Sequence, residues 1–176
     1  MLRPYDGIRP QLAQGVYVDE AARVIGDVQI GQDSSIWPFA AVRGDVHHIR
    51  IGARSNIQDN AVLHVTHDGP YSPGGSPLLI GDDVTVGHGA ILHACRIGNR
   101  VLIGMGAIVL DGAVIEDDVF VAAGSLVSPA KTLRSGWLHR GSPAKPARAL
   151  TASELENLRY SAAHYVRVKN KYLNQS

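Results

Sequence analysis

The chain has 176 residues, and its 17 basic and 16 acidic side chains leave a formal net charge of +1. This length suits one domain with a sizeable core, and the balanced charge excludes a strong field that would attract nucleic acid or an anionic membrane. Cys95 is the only cysteine, which excludes an intrachain disulfide framework and a zinc site made of several thiolates.

The first fifteen residues contain Arg3, Pro4, Asp6 and Arg9 but no apolar core of a signal peptide. No stretch of the sequence approaches the apolar length that spans a bilayer. We therefore expect a cytoplasmic protein whose ligand is a small molecule, with neither nucleic acid nor membrane as a partner.

Aliphatic residues recur every six positions through most of the chain, from Val18 to Val42, Ile51 to Leu63, Ile80 to Leu92 and, after a slip of one residue, Ile97 to Val127. This period fits neither an amphipathic helix nor an alternating strand. It fits a triangular coil of three hexads, each hexad a short strand and a turn with one aliphatic side chain in a shared core. Because the phase persists over about a hundred residues, coincidental spacing in a β-sandwich is disfavoured.

The repeat predicts an all-β solenoid domain over residues 1–150, with hexapeptide repeats over about 18–132. Glycine often follows the aliphatic residue, as at Gly31 and Gly52, where a side chain would crowd a tight bend. Two insertions interrupt the register: Val46 to Arg50, and a loop rich in Gly and Pro at residues 66–79. Such excursions from a rigid solenoid are where function concentrates.

Counting hexads in threes places the hexad of Leu63 and that of Leu92 on one face in successive coils, so His64 and His93, which follow them, are expected to stack. Neighbouring parallel strands lie about 4.8 Å apart. Tetrahedral zinc, at about 2.0 to 2.1 Å from each nitrogen, needs its ligands somewhat closer, which a modest tilt of the rings provides. The pair therefore predicts half of a metal site.

His88 belongs to the hexad of Val86 and so lies on another face, from which it cannot reach the same ion within its own chain. A second subunit could supply it, and a threefold ring of solenoids would create three equivalent sites. We therefore expect a homotrimer with a metal site between subunits.

After Val127 the repeat stops, and Thr151 with Glu154 forms a capping box for a helix over residues 151–173. Its apolar residues share one face. The helix is expected to pack on the solenoid or on a neighbouring subunit.

The sequence resembles the γ-class carbonic anhydrase family, and within it the small bacterial members. The resemblance rests on Val42-Arg43-Gly44-Asp45, on Asn56-Ile57-Gln58-Asp59 with Val62-Leu63-His64, and on Gly87-His88 with His93. It runs from about Gly15 to the final helix. It implies a left-handed parallel β-helix with a C-terminal α-helix, a handedness that the six-residue period alone does not give.

By that resemblance His64 and His93 of one subunit and His88 of the next bind Zn²⁺, with Fe²⁺ or Co²⁺ as alternatives that imidazole ligands accept. The implied reaction is hydration of carbon dioxide by hydroxide, formed from a water whose pKa the zinc lowers to about 7.

The resemblance also assigns roles to five polar residues. Gln58 and Asn56 match residues that orient the solvent or substrate, since an amide both donates and accepts hydrogen bonds. Arg43, Asp45 and Asp59 match ion pairs across the trimer interface, with Arg43 also near the site, where its planar fork suits bicarbonate.

Val46 and His67 stand where the best-studied pattern has glutamates, so the acidic loop is absent. His67 could replace it as a proton shuttle, because an imidazole titrates near neutral pH, or be a loop residue without function. Tyr160 resembles a tyrosine that approaches the site in some relatives.

Three other functions compete with carbonic anhydrase. A hexapeptide-repeat acyltransferase shares the fold but does not require three histidines. A metal-dependent thioesterase or other hydrolase would use the same activated water. A metal-binding trimer with weak or no catalysis is the third, and the absent acidic loop favours it.

Overall fold

The computed structural model describes residues 1–175 as a parallel β-helix of about eight turns closed by one C-terminal helix. Each turn contributes short strands to three faces. Two long strands, β4 (Arg23–Ile30) and β6 (Ala41–Ile51), bend around a corner and belong to both of the first two faces. The parallel solenoid predicted from the six-residue period is confirmed. Its left-handed winding stays a prediction from the resemblance, because the strand pairing does not depend on the hand.

Face 1 and face 2 are joined through β4 and β6. Besides their first halves, face 1 contains β1 (Leu2–Arg3), β8 (Val62–His64), β11 (Ile91–His93), β14 (Ile108–Val109) and β17 (Leu126–Val127). Besides their second halves, face 2 contains β2 (Gln11–Leu12), β9 (Leu78–Ile80), β12 (Arg96–Ile97), β15 (Val114–Ile115) and β18 (Thr132–Leu133).

Face 3 is a separate sheet of eight strands. Its parallel strands are β3 (Tyr17–Val18), β5 (Ser35–Ile36), β7 (Asn56–Ile57), β10 (Thr85–Val86), β13 (Leu102–Ile103), β16 (Phe120–Val121) and β19 (Trp137–Arg140). The antiparallel strand β20 (Lys145–Ala149) pairs with β19 and ends the sheet.

One aliphatic side chain per face and coil fills the core. On face 1 the inward residues Val42, Leu63, Leu92, Val109 and Val127 are all completely buried. They lie in register along the parallel ladder, so each coil covers the apolar residue of the one before it. This burial removes apolar surface from water at roughly 25 cal/mol per Å² and holds the turns at fixed positions.

The glycines that follow inward isoleucines are required by close backbone approach. A Cβ at Gly31 would lie 2.5 Å from the carbonyl carbon of Gly52, and one at Gly52 would lie 2.5 Å from that of Gly81. These glycines therefore stack in successive coils, as the sequence predicts, at a corner where no side chain fits.

The coils of the solenoid extend beyond the hexapeptide repeats of about 18–132, within the solenoid domain predicted over residues 1–150. Leu2 and Leu12 pair with β4 and add a coil before Val18, while β18 and β19 continue the coils to Arg140. The loop predicted over 66–79 ends earlier, because Leu78 and Leu79 already pair with β6 as part of β9.

Helix α1 (Ala152–Leu173) begins with the predicted capping box, in which Thr151 and Glu154 bond to each other's backbone N–H groups. It packs on face 3 of its own solenoid, against β3, β5 and β10. The ring of Trp37 meets Tyr165 and Tyr172 at centroid distances of 5.6 and 5.3 Å. No helix in residues 1–175 has the length and apolarity needed to cross a membrane.

An ion pair between a buried lysine and a partly exposed aspartate holds the end of α1 against the solenoid. The ammonium of Lys169, 1% exposed, donates to Asp33 at 2.8 Å, and this hydrogen bond holds the pKa of the Asp33 carboxyl below its ordinary value. We expect Asp33→Asn to lower the free energy of unfolding by about 2 kcal/mol at pH 7, because the lysine stays buried without its carboxylate.

The pH dependence of urea unfolding tests this pair. Because the folded pKa of Asp33 is depressed, its stabilisation is present above about pH 4 and is lost as the pH falls through the folded pKa. The gap between wild type and Asp33→Asn should therefore close at acid pH, and Asp6→Asn should match wild type throughout. A gap that is the same at neutral and acid pH would contradict the assignment.

Candidate metal centre

His64 and His93 end the face 1 strands β8 and β11 and are direct partners in the parallel ladder. The coil count therefore places them correctly, at the corner between faces 1 and 2. Nδ1 of His64 lies 3.2 Å from Nε2 of His93. Two nitrogens at about 2.0 to 2.1 Å from a tetrahedral zinc ion are roughly 3.3 Å apart, so the pair has the separation that such an ion needs.

An aspartate beside each ring determines which of its two nitrogens carries the hydrogen. Nε2 of His64 lies 3.1 Å from Asp45, and Nδ1 of His93 lies 2.7 Å from Asp111. An ionised carboxylate only accepts hydrogen bonds, so each histidine carries its proton on the nitrogen that faces the aspartate. The two nitrogens that face each other then both present lone pairs, an arrangement that a cation satisfies.

The charge states agree with this arrangement. Partial burial opposes ionisation of Asp45, but hydrogen bonds from Arg43 and His64 outweigh it and keep the pKa of its carboxyl below the ordinary value. At Asp111 the hydrogen bonds from Thr66 and His93 outweigh burial in the same way, so its pKa is lowered too. Burial lowers the pKa of His64 and favours the neutral ring, the form that binds metals.

His88 lies at the other corner of face 1, in the turn between β10 on face 3 and β11 on face 1. Its Nδ1 is 2.9 Å from Asp59, and its side chain is 48% exposed. Within residues 1–175 its Nε2 has no hydrogen-bond partner. All three histidines thus share one pattern, in which an aspartate holds one ring nitrogen and the other is available.

One chain does not assemble the three histidines. Among the described residues, no group of three His, Cys, Asp or Glu side chains could hold a metal ion. His64 and His93 occupy one edge of face 1 and His88 the opposite edge.

Gln58 and Asn56 lie beside the His88 corner and are almost completely buried, at 5% and 1% exposure. The Gln58 amide donates to Asn56 Oδ1 at 3.1 Å, and the Asn56 amide donates to Thr85 Oγ1 at 3.1 Å. Thr85 in turn bonds Ser161 on α1 at 3.0 Å. This chain of hydrogen bonds orients Gln58 and ties its position to the helix.

The residues predicted to form ion pairs between subunits have partners within the chain. Arg43 precedes His64 by one coil on face 1 and pairs with Asp45, which also bonds His64. Asp59 pairs with His88. Asp45 and Asp59 therefore contact His64 and His88 within the chain, and ion pairs across an interface stay a prediction.

His67 and Tyr160, the two other predicted site residues, lie in different parts of the structure. His67 lines a cleft of about 370 Å³ under the 66–77 loop, together with Asp111, the partner of His93. Tyr160 lies on α1, 59% exposed, where it stacks on His164 and under Arg167. Within residues 1–175 no hydrogen bond, ion pair or ring contact joins it to another predicted site residue.

Sequence reasoning missed Asp111, the carboxylate behind His93. It follows the inward residue Val109 by two positions, one coil after Leu92 on the same face. The coil count that located the histidines would therefore have located it.

The chain is similar to several known proteins over most of its length, and part of it matches a hexapeptide-repeat family profile. The profile of the bacterial transferase hexapeptide family (six repeats) matches residues 94–129. Protein YrdA of Escherichia coli is 56% identical over 99% of this chain and 95% of its own. A carbonic anhydrase of Geobacillus kaustophilus is 42% identical over 94% of this chain and 87% of its own.

Two further matches are a plant protein and a solved bacterial structure. The mitochondrial gamma carbonic anhydrase 2 of Arabidopsis thaliana is 43% identical over 95% of this chain, which spans 60% of that protein. A crystal structure of a putative acetyltransferase from Bacillus cereus superposes with a TM-score of 0.92 at 39% identity, covering 99% of this chain and 98% of that one.

Proposed function

Because this chain belongs to the γ-class carbonic anhydrase-like family of hexapeptide-repeat proteins, we propose that it assembles as a homotrimer with a catalytic metal ion at each subunit boundary and hydrates carbon dioxide reversibly. The observation that carries the proposal is the pair His64 and His93, whose facing nitrogens are 3.2 Å apart and whose other nitrogens are held by aspartates.

The outward side of face 1 supports assembly. Its outward residues are aliphatic in five successive coils and lie in register: Ala41, Val62, Ile91, Ile108 and Leu126. Val62 and Ile91 are 41% and 37% exposed although they are large and apolar. Face 2 mixes such residues with Arg50 and Arg96, and α1 covers part of face 3. A contiguous exposed apolar surface marks an interaction site, and here the proposed occupant is a second copy of the chain.

Threefold symmetry would complete the metal site. If face 1 of each solenoid points toward a threefold axis, the two corners that bound this face meet the neighbouring subunits on either side. The corner with His64 and His93 then meets the His88 corner of the next subunit. Three equivalent boundaries would each join two histidines of one chain to one of another.

The donor set fits zinc. Three neutral imidazoles with an open fourth position are a common catalytic zinc environment, and a carboxylate behind each histidine is the usual second layer of such sites. Fe²⁺ or Co²⁺ could occupy the same ligands. A bound ion of this kind supplies the Lewis acidity that makes water a nucleophile at neutral pH.

Three further residues have proposed roles in orienting solvent, attracting the product and transferring the released proton. The amide nitrogen of Gln58 donates to Asn56, and its amide oxygen, which has no hydrogen-bond partner within residues 1–175, could orient solvent at the proposed metal site. Arg43, whose side chain is 46% exposed, attracts the bicarbonate product at the His64 corner. His67 lines the cleft that Asp111 shares, from which it can pass the released proton to bulk water.

Acyl transfer is the second candidate, favoured by the similarity to the structure described as a putative acetyltransferase. It needs one histidine as a general base, a role that a ring held by an aspartate could fill, but it gives no reason for the facing nitrogens of His64 and His93 at 3.2 Å. A metal-dependent thioesterase or other hydrolase would use the proposed site unchanged.

The test measures metal content and carbon dioxide hydration on the same preparation, purified without chelator and reloaded anaerobically with zinc or ferrous iron. One metal per chain together with hydration supports the proposal. Stoichiometric metal without hydration would contradict it and favour a hydrolase or a non-catalytic trimer. A metal-free protein that acetylates an amine from acetyl-CoA would favour the transferase.

Asp111→Asn should weaken metal binding about 10- to 100-fold, the usual cost of losing a carboxylate behind a histidine ligand. A chelator competition assay measures the affinity. Asp83→Asn is the matched control, because Asp83 pairs with Arg54 at the corner between faces 2 and 3 and should leave the affinity unchanged. Equal affinities for both variants would contradict the role of Asp111.

A further inference from the structure

The last coil of the solenoid has a histidine at an inward position. His139 lies opposite Val121 on face 3, where the preceding inward residues are aliphatic. It is 3% exposed, and its Nε2 lies 3.3 Å from the carbonyl oxygen of Arg134. Its Nδ1 is the one buried side-chain polar atom of residues 1–175 without a hydrogen-bond partner.

The protonation of this ring follows from its partner. A carbonyl oxygen only accepts, so Nε2 carries the hydrogen and, in the neutral ring, Nδ1 presents a lone pair. A buried acceptor without a donor is unfavourable, because it has lost the hydrogen bond that water would supply. A ligand that brings an O–H or N–H group to Nδ1 would remove this cost.

A cavity of about 320 Å³ adjoins His139. Lys131, Arg134, Trp137 and Pro146 line it with His139. The indole and the proline ring offer flat apolar surfaces, and neither Lys131 nor Arg134 forms an ion pair within residues 1–175. The volume is at the lower end of the range for small-molecule sites, about 300 to 1,000 Å³.

The surroundings of the cavity are basic although the whole chain has a net charge of only +1. Every charged residue from Val119 to Ser153 is basic: Lys131, Arg134, Arg140, Lys145 and Arg148. Arg148 is neutralised by Glu154 at 2.7 Å, and Glu116 accepts from the backbone N–H of Ser135. Neither glutamate lines the cavity, so its field favours an anion.

We propose that this cavity binds a compact aromatic hydroxy acid. The carboxylate would pair with Lys131 and Arg134, the ring would pack on Trp137, and the hydroxyl would donate to His139 Nδ1. The cavity lies two coils beyond His93, so the site is separate from the proposed metal centre. It rests on His139 and the cavity and does not depend on carbonic anhydrase activity.

Calorimetric titration of the wild-type protein with three matched probes tests the proposal. We expect 4-hydroxybenzoate to bind one molecule per chain, and benzoate, which lacks the donor, to bind about 5- to 10-fold more weakly. The neutral 4-hydroxybenzyl alcohol should bind at least about tenfold more weakly, because it lacks the charge. Absence of saturable 4-hydroxybenzoate binding up to about 10 mM, an affinity too weak for a built site, would overturn the proposal.

Variants then assign the contacts. His139→Val introduces the same residue as Val121, which occupies this inward position one coil earlier. It should abolish the preference for 4-hydroxybenzoate over benzoate. Arg134→Gln, at an exposed position that should not disturb folding, should weaken both acids about tenfold, whereas Arg140→Gln, outside the cavity, should have no effect. If all three variants bind both acids as the wild type does, the site is not the one proposed.

Discussion

Replacing His88 by alanine is expected to reduce metal content to near zero and carbon dioxide hydration by at least about 100-fold, while the solenoid stays folded. In the proposed site one of three protein ligands is lost, and two imidazoles hold zinc far less tightly than three. The fold should persist because His88 lies in an exposed turn and contributes nothing to the aliphatic core. Metal analysis, hydration rates and the thermal unfolding midpoint measure the three effects.

His164→Ala is the matched control for this variant. His164 lies on α1 and contacts Tyr160 and Tyr165, not the aspartates of the metal corners. Its loss should change neither metal content nor hydration. A His88→Ala protein that retains one metal per chain with unchanged affinity would exclude His88 as a ligand.

Placing a charge on the outward surface of face 1 should dissociate the trimer. Ile91 lies between Val62 and Ile108 in the exposed aliphatic row, so Ile91→Asp would bury a carboxylate without a partner at the centre of the proposed interface. An unpaired buried charge costs several kcal/mol. Each trimer would contain three such charges, and we expect monomers at micromolar concentration.

Sedimentation measures this effect directly. Wild type should sediment at about three times the 18.8 kDa of one chain, and Ile91→Asp at the mass of one chain, with its metal lost as well. Arg96→Asp places the same side chain in the same coil but on face 2, and should leave the trimer and its metal intact. A trimeric Ile91→Asp protein would show that another face forms the interface.

The sequence determines the coil positions because the repeat is local. One inward aliphatic residue every six positions fixes which residues share a face, and this is why the sequence alone predicts that His64 and His93 stack. The carboxylates that hydrogen-bond to these histidines are harder to predict from the sequence. Asp111 lies one coil beyond His93, two positions after its inward residue, whereas the histidines follow theirs by one, so the stacking of histidines does not reveal it.

Coils that depart from the six-residue repeat are also harder to predict from the sequence. Leu2 and Leu12 form a coil without a six-residue spacing between them, so the repeat does not mark this first turn, although it lies within the solenoid domain predicted over residues 1–150. Ion pairs of Asp45 across an interface stay a prediction, but its contact with His64 within the chain was not predicted, because it depends on how the long strand β6 bends beyond Asp45. At the other end, His139 occupies an inward position that the aliphatic pattern does not identify.

Mixing two defective proteins tests the central claim most directly. His88→Ala chains keep His64 and His93, and His64→Ala chains keep His88, so each mixed trimer would contain one intact boundary. After joint refolding at equal amounts, roughly a quarter of the wild-type metal content and hydration should return, since about three quarters of the trimers are mixed and each regains one of three sites. Neither protein alone should bind metal. If the mixture stays inactive and metal-free although mixed trimers form, the metal site is not shared between subunits.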